Sequence, residues 1–281
     1  MPCYHPLSAQ RGADGSIKVG GQKSANRFSD TGNRWLYLPC GKCIGCVKSR
    51  ARDWAIRCCL ELQYHNVACW ATLTYADEYV PPTLRKDHLS GFMRKLRKLS
   101  GQKVRFFASG EYGETFGRPH YHPILYGIKD ESLIRQAWPY GFAVMHDLRM
   151  EGIAYVAGYV QKKFVFDEEK EERIDYTTGE SYVYQPPFRL MSRKPGIGGN
   201  AAGEFAASWR NTAMYHYRHV RVPRYLHEAW KKSVEWRDVM QKAIETFEYG
   251  KEHPIDWDRL QAGEQIAHSA HNIQSMARRF A

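Results

Sequence analysis

The sequence contains no long hydrophobic run. No window of its 281 residues approaches the roughly 20 uncharged apolar residues that a membrane-spanning helix needs. The N-terminus, MPCYHPLSAQRGADG, also lacks the apolar segment of a signal peptide. These absences predict a soluble, cytoplasmic protein, in which the seven cysteines are expected to be thiols or metal ligands rather than disulfides.

Acidic residues and phosphate-binding loops are also scarce. The 30 Asp and Glu residues are outnumbered by 41 Lys and Arg residues, which gives a net charge of +11. This excess predicts an acidic partner: nucleic acid first, an acidic membrane surface or acidic protein less so. The sequence has no G-x-x-x-x-G-K-[ST] motif, so it is not predicted to carry an ATP-driven helicase of its own.

Hydrophobic periodicity predicts an α+β fold with a central, mostly antiparallel sheet flanked by helices. The helix predicted over 85–99 takes Asp87 as its N-cap. The predicted elements are, in order, helix 46–65, strand 67–75, helix 85–99, strands 103–113 and 120–127, helix 130–141, strand 141–148 and helix 152–164.

Composition divides the chain into three predicted parts. Residues 1–47 are expected to be irregular and to hold a cysteine metal knot, and residues 48–200 form the α+β domain. A hairpin is expected around Thr178 and Gly179. Residues 201–281 are predicted to be a helical C-terminal extension.

The segment RPHYHPILYG (118–127) contains the first candidate site. Residues i and i+2 of a strand share a face, so His120 and His122 can hold one divalent cation through neutral imidazole nitrogens. Glu111 on the preceding strand is the preferred third ligand, with Glu114 and Asp77 as alternatives. An isolated H-x-H is more often an ordinary surface pair, and the hypothesis therefore depends on its neighbours.

The segment YVAGYVQKK (155–163) supplies those neighbours. Helical spacing places Tyr155, Tyr159 and Lys162 on one stripe, with Lys163 beside it, while the valines face elsewhere and can pack. The alternative is a core helix whose tyrosines only pack. A phenol is a poor nucleophile at neutral pH, but beside a cation that polarises a phosphate it can attack and form a phosphotyrosine.

These motifs resemble the replication initiators of the HUH endonuclease superfamily, and most closely the Rep proteins of microviruses of the gokushovirus branch. The matching segments are PCGKCIGC (39–46), ATLTY (71–75), SGEYGETFGRPHYHPILYG (109–127), YVAGYVQKK (155–163) and MSRKPGIG (191–198). They extend over most of the chain to about residue 200.

The resemblance implies an HUH-type endonuclease fold and rolling-circle replication of a single-stranded DNA phage in the cytoplasm of its bacterial host. It implies magnesium or manganese as cofactor, single-stranded viral origin DNA as substrate, and the host helicase and replication machinery as partners, without a membrane. It also implies that His120, His122 and Glu111 bind the metal. Tyr155 and Tyr159 would be the nucleophiles, with Lys162 assisting them.

CGKCIGC places Cys40, Cys43 and Cys46 at C-x2-C-x2-C spacing, and Cys3 is a distant fourth thiol. A structural zinc ion is the preferred interpretation. An iron–sulfur cluster is compatible with three of the thiols, but the C-x3-C-P partner motif is missing nearby. Three thiols in a loop without a metal is the plain alternative.

The basic excess predicts DNA contacts in several segments, although a solvated helix face explains any single residue as well. His65, His88 and His146 are assigned no role. The predicted DNA-binding residues are Arg94, Lys95, Arg97, Lys98, Arg118, Lys163, Arg193 and Lys194.

Other functions remain open from the sequence. A plasmid Rep, relaxase or transposase would use the same chemistry. Two histidines and a carboxylate could hold iron in an oxygenase, although that leaves the tyrosines and the basic charge without a purpose. A zinc-stabilised DNA-binding repressor would need no catalysis.

Overall fold

The structure is a computed structural model. It describes residues 3–11, 16–19, 35–113, 117–158, 172–174, 178–205, 212–215, 218–233, 235, 237–238, 240–241, 244–245, 248 and 255–279. By their contacts, the residues divide into two compact units: Met1–Ser49 with Glu248–Ala281, and Arg50–Phe247. Within the described ranges, no helix is long and apolar enough to cross a membrane.

The described residues include twelve strands and seven α-helices. The strands are β1 Leu7–Arg11, β2 Ile17–Val19, β3 Trp35–Leu38, β4 Ala68–Tyr75, β5 Arg105–Tyr112, β6 Pro119–Tyr126, β7 Gly141–Asp147, β8 Glu172–Ile174, β9 Ser181–Val183, β10 Phe188–Met191, β11 Thr212–Tyr215 and β12 Arg218–Arg221. The helices are α1 Ile44–Leu62, α2 Lys86–Ser100, α3 Glu131–Ala137, α4 Met150–Gly158, α5 Gly199–Phe205, α6 Arg224–Ser233 and α7 Trp257–Arg279.

The larger unit is built on a five-stranded sheet of order β10-β5-β6-β4-β7, in which every neighbouring pair is antiparallel. The predicted α+β class is confirmed. The predicted elements between 46 and 148 all form within a few residues, and the last predicted helix is described as Met150–Gly158. The cap prediction was wrong: Arg85 takes the N-cap position of α2, and Asp87 lies in the first turn, where it pairs with Arg85.

The two faces of this sheet pack against different helices. One face carries Leu73 and Tyr121 and buries the apolar side of α2, including Leu89 and Leu96, together with α3. The other face carries the apolar residues Phe107, Ile124 and Tyr126 and packs against Trp54 of α1 and against α4. Because side chains alternate along a strand, the two helical layers contact different residues of the same strands.

A buried ion pair joins α1 to the start of β5. The Glu61 carboxylate accepts hydrogen bonds from Arg105, from His65 Nε2 at 3.2 Å and from the Gly198 N–H at 2.7 Å. Arg105 also donates to the Pro195 carbonyl at 2.9 Å. Burial raises the pKa of Glu61, but these donors outweigh it, and the pKa lies below its ordinary value. The glycine-rich loop, residues 192–198 between β10 and α5, is therefore held by a buried charge.

Two regions differ from their predictions. Residues 1–47, expected to be irregular, include the antiparallel sheet β2-β1-β3. Its strands are three to five residues long, too short for a periodic signal. The C-terminal part, expected to be helical, contains the hairpin β11–β12 besides its helices. The aromatic and β-branched residues of TAMYHYRHV favour a strand. The predicted hairpin around Thr178 forms between β8 and β9.

Candidate active site

The antiparallel register of β5 and β6 brings the predicted metal ligands to one sheet face. Glu111 is paired directly with His120, and Ser109 with His122. Paired residues and residues two apart along a strand project to the same face. Glu111, His120 and His122 therefore share the face against which α1 and α4 pack.

Glu111 and His122 contact each other directly. His122 Nε2 lies 3.0 Å from Glu111 Oε1, and both side chains are buried. Two adjacent ligands of an octahedral cation, each at ~2.1 Å, are about 3.0 Å apart. In this structure the two atoms form a hydrogen bond; the same spacing is compatible with two ligands of one hard divalent cation, which would replace that bond.

His120 is oriented by the backbone. Its Nδ1 lies 2.7 Å from the Arg118 carbonyl oxygen. A neutral imidazole must donate from that nitrogen, which leaves Nε2 with the lone pair that a metal needs. Burial is the main cause that lowers the pKa of His120, so the neutral, ligating form persists at neutral pH.

Tyr121, between the two histidines, projects to the opposite face. Its hydroxyl accepts a hydrogen bond from the Arg85 N–H at 2.8 Å and lies 3.0 Å from the Arg85 carbonyl oxygen and 2.9 Å from the Tyr75 hydroxyl. The ring is fully buried, and burial raises its pKa. This residue fixes the strand that carries the histidines to the layer behind it.

Helix α4 packs on the same sheet face as the histidines. Ile153, Val156 and Ala157 are buried against the apolar residues of this face. A Cβ at Gly152 would lie 2.9 Å from Trp70 Nε1, so the helix approaches the sheet as closely as glycine permits. Tyr155 belongs to α4.

Several predicted site residues lie wholly or partly outside the described part of the chain. The side chain of Tyr155 lies outside the described part of the structure, and so do residues Tyr159, Lys162 and Lys163. The alternative ligand Glu114 also lies outside the described residues.

Asp77, the other alternative ligand, is engaged elsewhere. Its carboxylate lies 2.7 Å from Arg118 Nη1 and is almost fully exposed. Arg118 in turn donates to the Tyr75 carbonyl at 3.1 Å. Of the candidate carboxylates that the structure describes, Glu111 is the one that contacts a predicted imidazole ligand.

Three residues of this face had no predicted role. Thr72 Oγ1 lies 3.5 Å from His122 Nδ1 and 3.4 Å from His146 Nε2. The His146 ring stacks on Trp70, with centroids 4.1 Å apart. The sequence alone does not show that His146 lies beside Thr72 and Trp70, because that contact depends on β7 pairing with β4.

An open cleft of about 690 Å³ adjoins this stack. Arg149 and Gly152 lie at its α4 side. Phe142 of β7, which is paired with Thr74, is 66% exposed on the same sheet face. The cleft is lined by Trp70, Met145, His146, Asp147, Arg149 and Gly152.

The predicted DNA-binding residues do not gather around the histidines. Helix α2, with exposed Arg94, Lys95 and Lys98, packs on the opposite face of the sheet. Arg97 is half-buried and donates to the Val104 carbonyl at 2.9 Å, a structural contact.

Arg193 and Lys194 lie far from the histidines along the sheet. They are exposed in the loop that Arg105 holds. Arg105 and Glu111 are six residues apart on β5, which corresponds to about 20 Å. Of the predicted set that the structure describes, Arg118 lies nearest to the histidines, because its carbonyl orients His120.

The four predicted cysteine ligands, by contrast, are brought together in the smaller unit. The Sγ atoms of Cys3, Cys40, Cys43 and Cys46 all lie within 4.8 Å of one another. Among the described residues, this is the one compact group of three or more potential metal ligands. The histidine site is more open, and His120 does not belong to a group as tight as this one.

The comparison with family models matches the part of the chain that contains this candidate site. Residues 68–164 match the family described as Replication-associated protein ORF2/G2P. No solved structure matches the chain.

Three curated relatives are similar to it. They are Replication-associated protein ORF4 of Chlamydia phage 1, 31% identical over 46% of this chain and 39% of that protein; Replication-associated protein ORF2 of Spiroplasma virus 4, 29% identical over 58% and 61%; and Replication-associated protein VP4 of Bdellovibrio phage phiMH2K, 27% identical over 70% and 66%. The match thus covers less than two thirds of the length of each. The predicted resemblance is confirmed: over these parts of its length, the chain is similar to replication-associated proteins of microviruses.

Proposed function

We propose that this chain is a rolling-circle replication initiator that nicks single-stranded origin DNA and later rejoins it. The observation that carries the proposal is the placement of two elements. Glu111, His120 and His122 share one sheet face, and α4, to which Tyr155 belongs, packs on that face. The printed names of the curated relatives, which are replication-associated proteins, support the replication role.

The metal-binding residues fit magnesium or manganese. A carboxylate and neutral imidazoles are suitable ligands for such cations. When bound, the cation would polarise the scissile phosphate and offset the charge that develops there. Arg118 and Thr72 hold the imidazole rings in position through His120 Nδ1 and His122 Nδ1.

The covalent step uses a tyrosine of the α4 segment. The phenol oxygen of Tyr155 or Tyr159 attacks the phosphorus, and the bond from phosphorus to the 3′ oxygen breaks. The 3′ oxygen leaves as a hydroxyl with the proton, and the 5′ phosphate stays on the tyrosine. Because one ester replaces another, the reverse reaction can join the strand without ATP. Lys162 would steady the phosphate or the phenolate.

Single-stranded DNA would reach this site across β7. Phe142 is exposed beside the ligand face, and the Trp70–His146 stack and Arg149 line the adjoining cleft. Aromatic faces and a cation are the usual elements of a sequence-tolerant single-strand site. The net charge of +11 adds attraction that salt will weaken.

The proposal can be tested with labelled single-stranded origin DNA and Mn²⁺ or Mg²⁺. A covalent adduct on a denaturing gel is expected, and a chelator should abolish it. Tyr155→Phe with Tyr159→Phe should remove the adduct, whereas Tyr79→Phe, an exposed tyrosine of the same unit, should retain it. An adduct that persists in the double variant would refute the tyrosine assignment.

A second candidate is a DNA-binding protein without catalysis, stabilised by metal at the cysteines. The compact cysteine group favours it. The same assay separates the two, because this alternative predicts salt-sensitive binding of the DNA but neither nick nor adduct with any cation. A plasmid Rep, relaxase or transposase would give the same adduct on a different DNA sequence.

A further inference from the structure

The smaller unit contains a group of thiols that the nicking chemistry does not use. Cys3 comes from the start of the chain, and Cys40, Cys43 and Cys46 lie where the chain enters α1. Cys43 Sγ is 3.9 Å from Cys3 Sγ, and Cys40 Sγ is 4.0 Å from Cys46 Sγ. All seven cysteines lie in the described part of the chain, and none of them forms a disulfide there.

These distances match a single tetrahedral ion. A disulfide would place two sulfurs ~2.05 Å apart, far closer than any pair here. Four thiolates at ~2.3 Å from one Zn²⁺ lie about 3.8 Å from each other, close to the two distances above. An iron–sulfur cluster would hold its thiolates further apart, because several irons separate them.

Backbone N–H groups point at the sulfurs. The Cys40 N–H donates to Cys3 Sγ at 3.2 Å, the Tyr4 N–H to Cys43 Sγ at 3.4 Å, and the Cys43 N–H to Cys40 Sγ at 3.4 Å. Hydrogen bonds of this kind orient metal-binding thiolates and stabilise their charge. They join the N-terminal segment to the C-x2-C-x2-C turn.

We propose that Cys3, Cys40, Cys43 and Cys46 bind a structural Zn²⁺. Four thiolates leave no open coordination position, so the ion would have no catalytic task. Soft thiolates also exclude magnesium, which the histidine site suits. The two sites therefore hold different metals, and the zinc proposal stands independently of the nicking proposal.

The surrounding residues explain what the ion would do. The apolar cluster at this point is small: Tyr4 and Ala267 are buried beside the cysteines, with Leu260 of α7 packed against them. The strands β1, β2 and β3 leave Leu7, Ile17, Val19 and Tyr37 exposed. The described residues of this unit bury little apolar area. Small folded units of this kind are often stabilised by a metal, and metal binding would supply folding energy here.

Metal analysis of the purified full-length protein tests the proposal. After dialysis against a weak chelator, one zinc ion per chain is expected. Cys43→Ser and Cys3→Ser should each lose most of that zinc. Two controls should retain it: Cys59→Ser, a half-buried cysteine outside the group, and His120→Ala. Equal zinc in Cys43→Ser and the parent, or iron with inorganic sulfide in place of zinc, would overturn the proposal.

Alkylation of the unmodified protein avoids the risk that a variant does not fold. Mass spectrometry should find Cys3, Cys40, Cys43 and Cys46 protected from iodoacetamide before a strong chelator is added and labelled afterwards. Labelling of the four that is equally fast with and without the chelator would contradict a bound ion. Because neither readout involves DNA, loss of nicking alone would leave this proposal standing.

Discussion

Two buried carboxylates, Glu61 on α1 and Glu111 on β5, are alike in burial but differ in their partners. Glu61, at the end where β5 begins, is bonded to a guanidinium, a backbone N–H and an imidazole. Glu111, near the other end, contacts the His122 imidazole and faces His120 across the strand pair. A guanidinium has no lone pair to offer a metal, whereas an imidazole does. Glu61 is neutralised by Arg105, which suits a structural role, whereas the imidazoles beside Glu111 suit the proposed metal site.

Glu61→Ala gives the largest expected effect. Arg105 would stay buried without its counter-charge, and removing one partner of a buried pair costs about 3–5 kcal/mol. Urea unfolding at neutral pH measures the loss in the free energy of unfolding. Glu131→Ala, which breaks an exposed pair with Arg135, is the control and should cost about 1 kcal/mol or less. Equal losses in both would remove the distinction drawn for Glu61.

The same carboxylate predicts a pH dependence. Its pKa in the folded protein lies below the ordinary value near 4.5. The unfolded state therefore binds the proton more readily, and the stability contributed by Glu61 is present above that ordinary value and lost as pH falls through the folded pKa. Unfolding curves between neutral and acid pH should show a shallower acid decline in Glu61→Gln than in the parent. Parallel curves would contradict this.

His120→Ala should leave the fold intact and remove the chemistry. Nicking with Mn²⁺ should fall by roughly 100-fold or more, because a bound metal contributes several kcal/mol to the transition state. His88→Ala is matched to it: this histidine is also half-buried but packs beside Tyr75 among residues of the other sheet face. Thermal melting should change little in His120→Ala. A similar loss of nicking in both variants would argue against the metal role.

Phe142→Ala tests the DNA path at the ligand face. Loss of one stacking side chain is worth ~1–3 kcal/mol of single-strand binding, and fluorescence anisotropy with an unstructured oligonucleotide measures it. Ile174→Ala, also exposed but on the β8–β9 hairpin, should leave the affinity unchanged. Equal affinity in the parent and Phe142→Ala would exclude stacking there.

The basic side of α2 gives the smallest expected effect on the reaction. Neutralising Arg94, Lys95 and Lys98 should lower the slope of log affinity against log salt by about two if all three contact phosphates of single-stranded DNA. Nicking at saturating DNA should not change, because α2 packs on the opposite sheet face. An unchanged slope would identify this side as merely solvated.

The sequence predicted the parts of this protein that depend on short separations. Strand alternation and a tight hairpin were sufficient to place Glu111 beside His122, because they are eleven residues apart. The strand order β10-β5-β6-β4-β7 was not predictable in this way. The two edge strands, β10 and β7, are far in sequence from β5 and β4, the strands with which they pair. Without that order, the contacts of His146 with Thr72 and Trp70 have no sequence signal.

The glycine-rich loop shows how contacts between residues that are distant in sequence escape prediction. Its basic residues suggested DNA, but the contacts that hold the loop come from Glu61 and Arg105, which are remote in sequence. Three of the four cysteines in the group were recognisable as possible metal ligands from their spacing alone. The fourth, Cys3, lies 37 residues from Cys40, and its approach depends on how the N-terminal segment folds.

The anchoring of Tyr121 has a consequence for the evolution of the proposed reaction. Its hydroxyl is hydrogen-bonded to Arg85 and Tyr75 on the opposite side of the sheet. These bonds help to fix the strand position of the two imidazoles on either side of Tyr121. If the proposed function holds, a change at Tyr121, or at the residues that bond its hydroxyl, would shift the two imidazoles and with them the cation preference, without altering any group proposed to contact DNA.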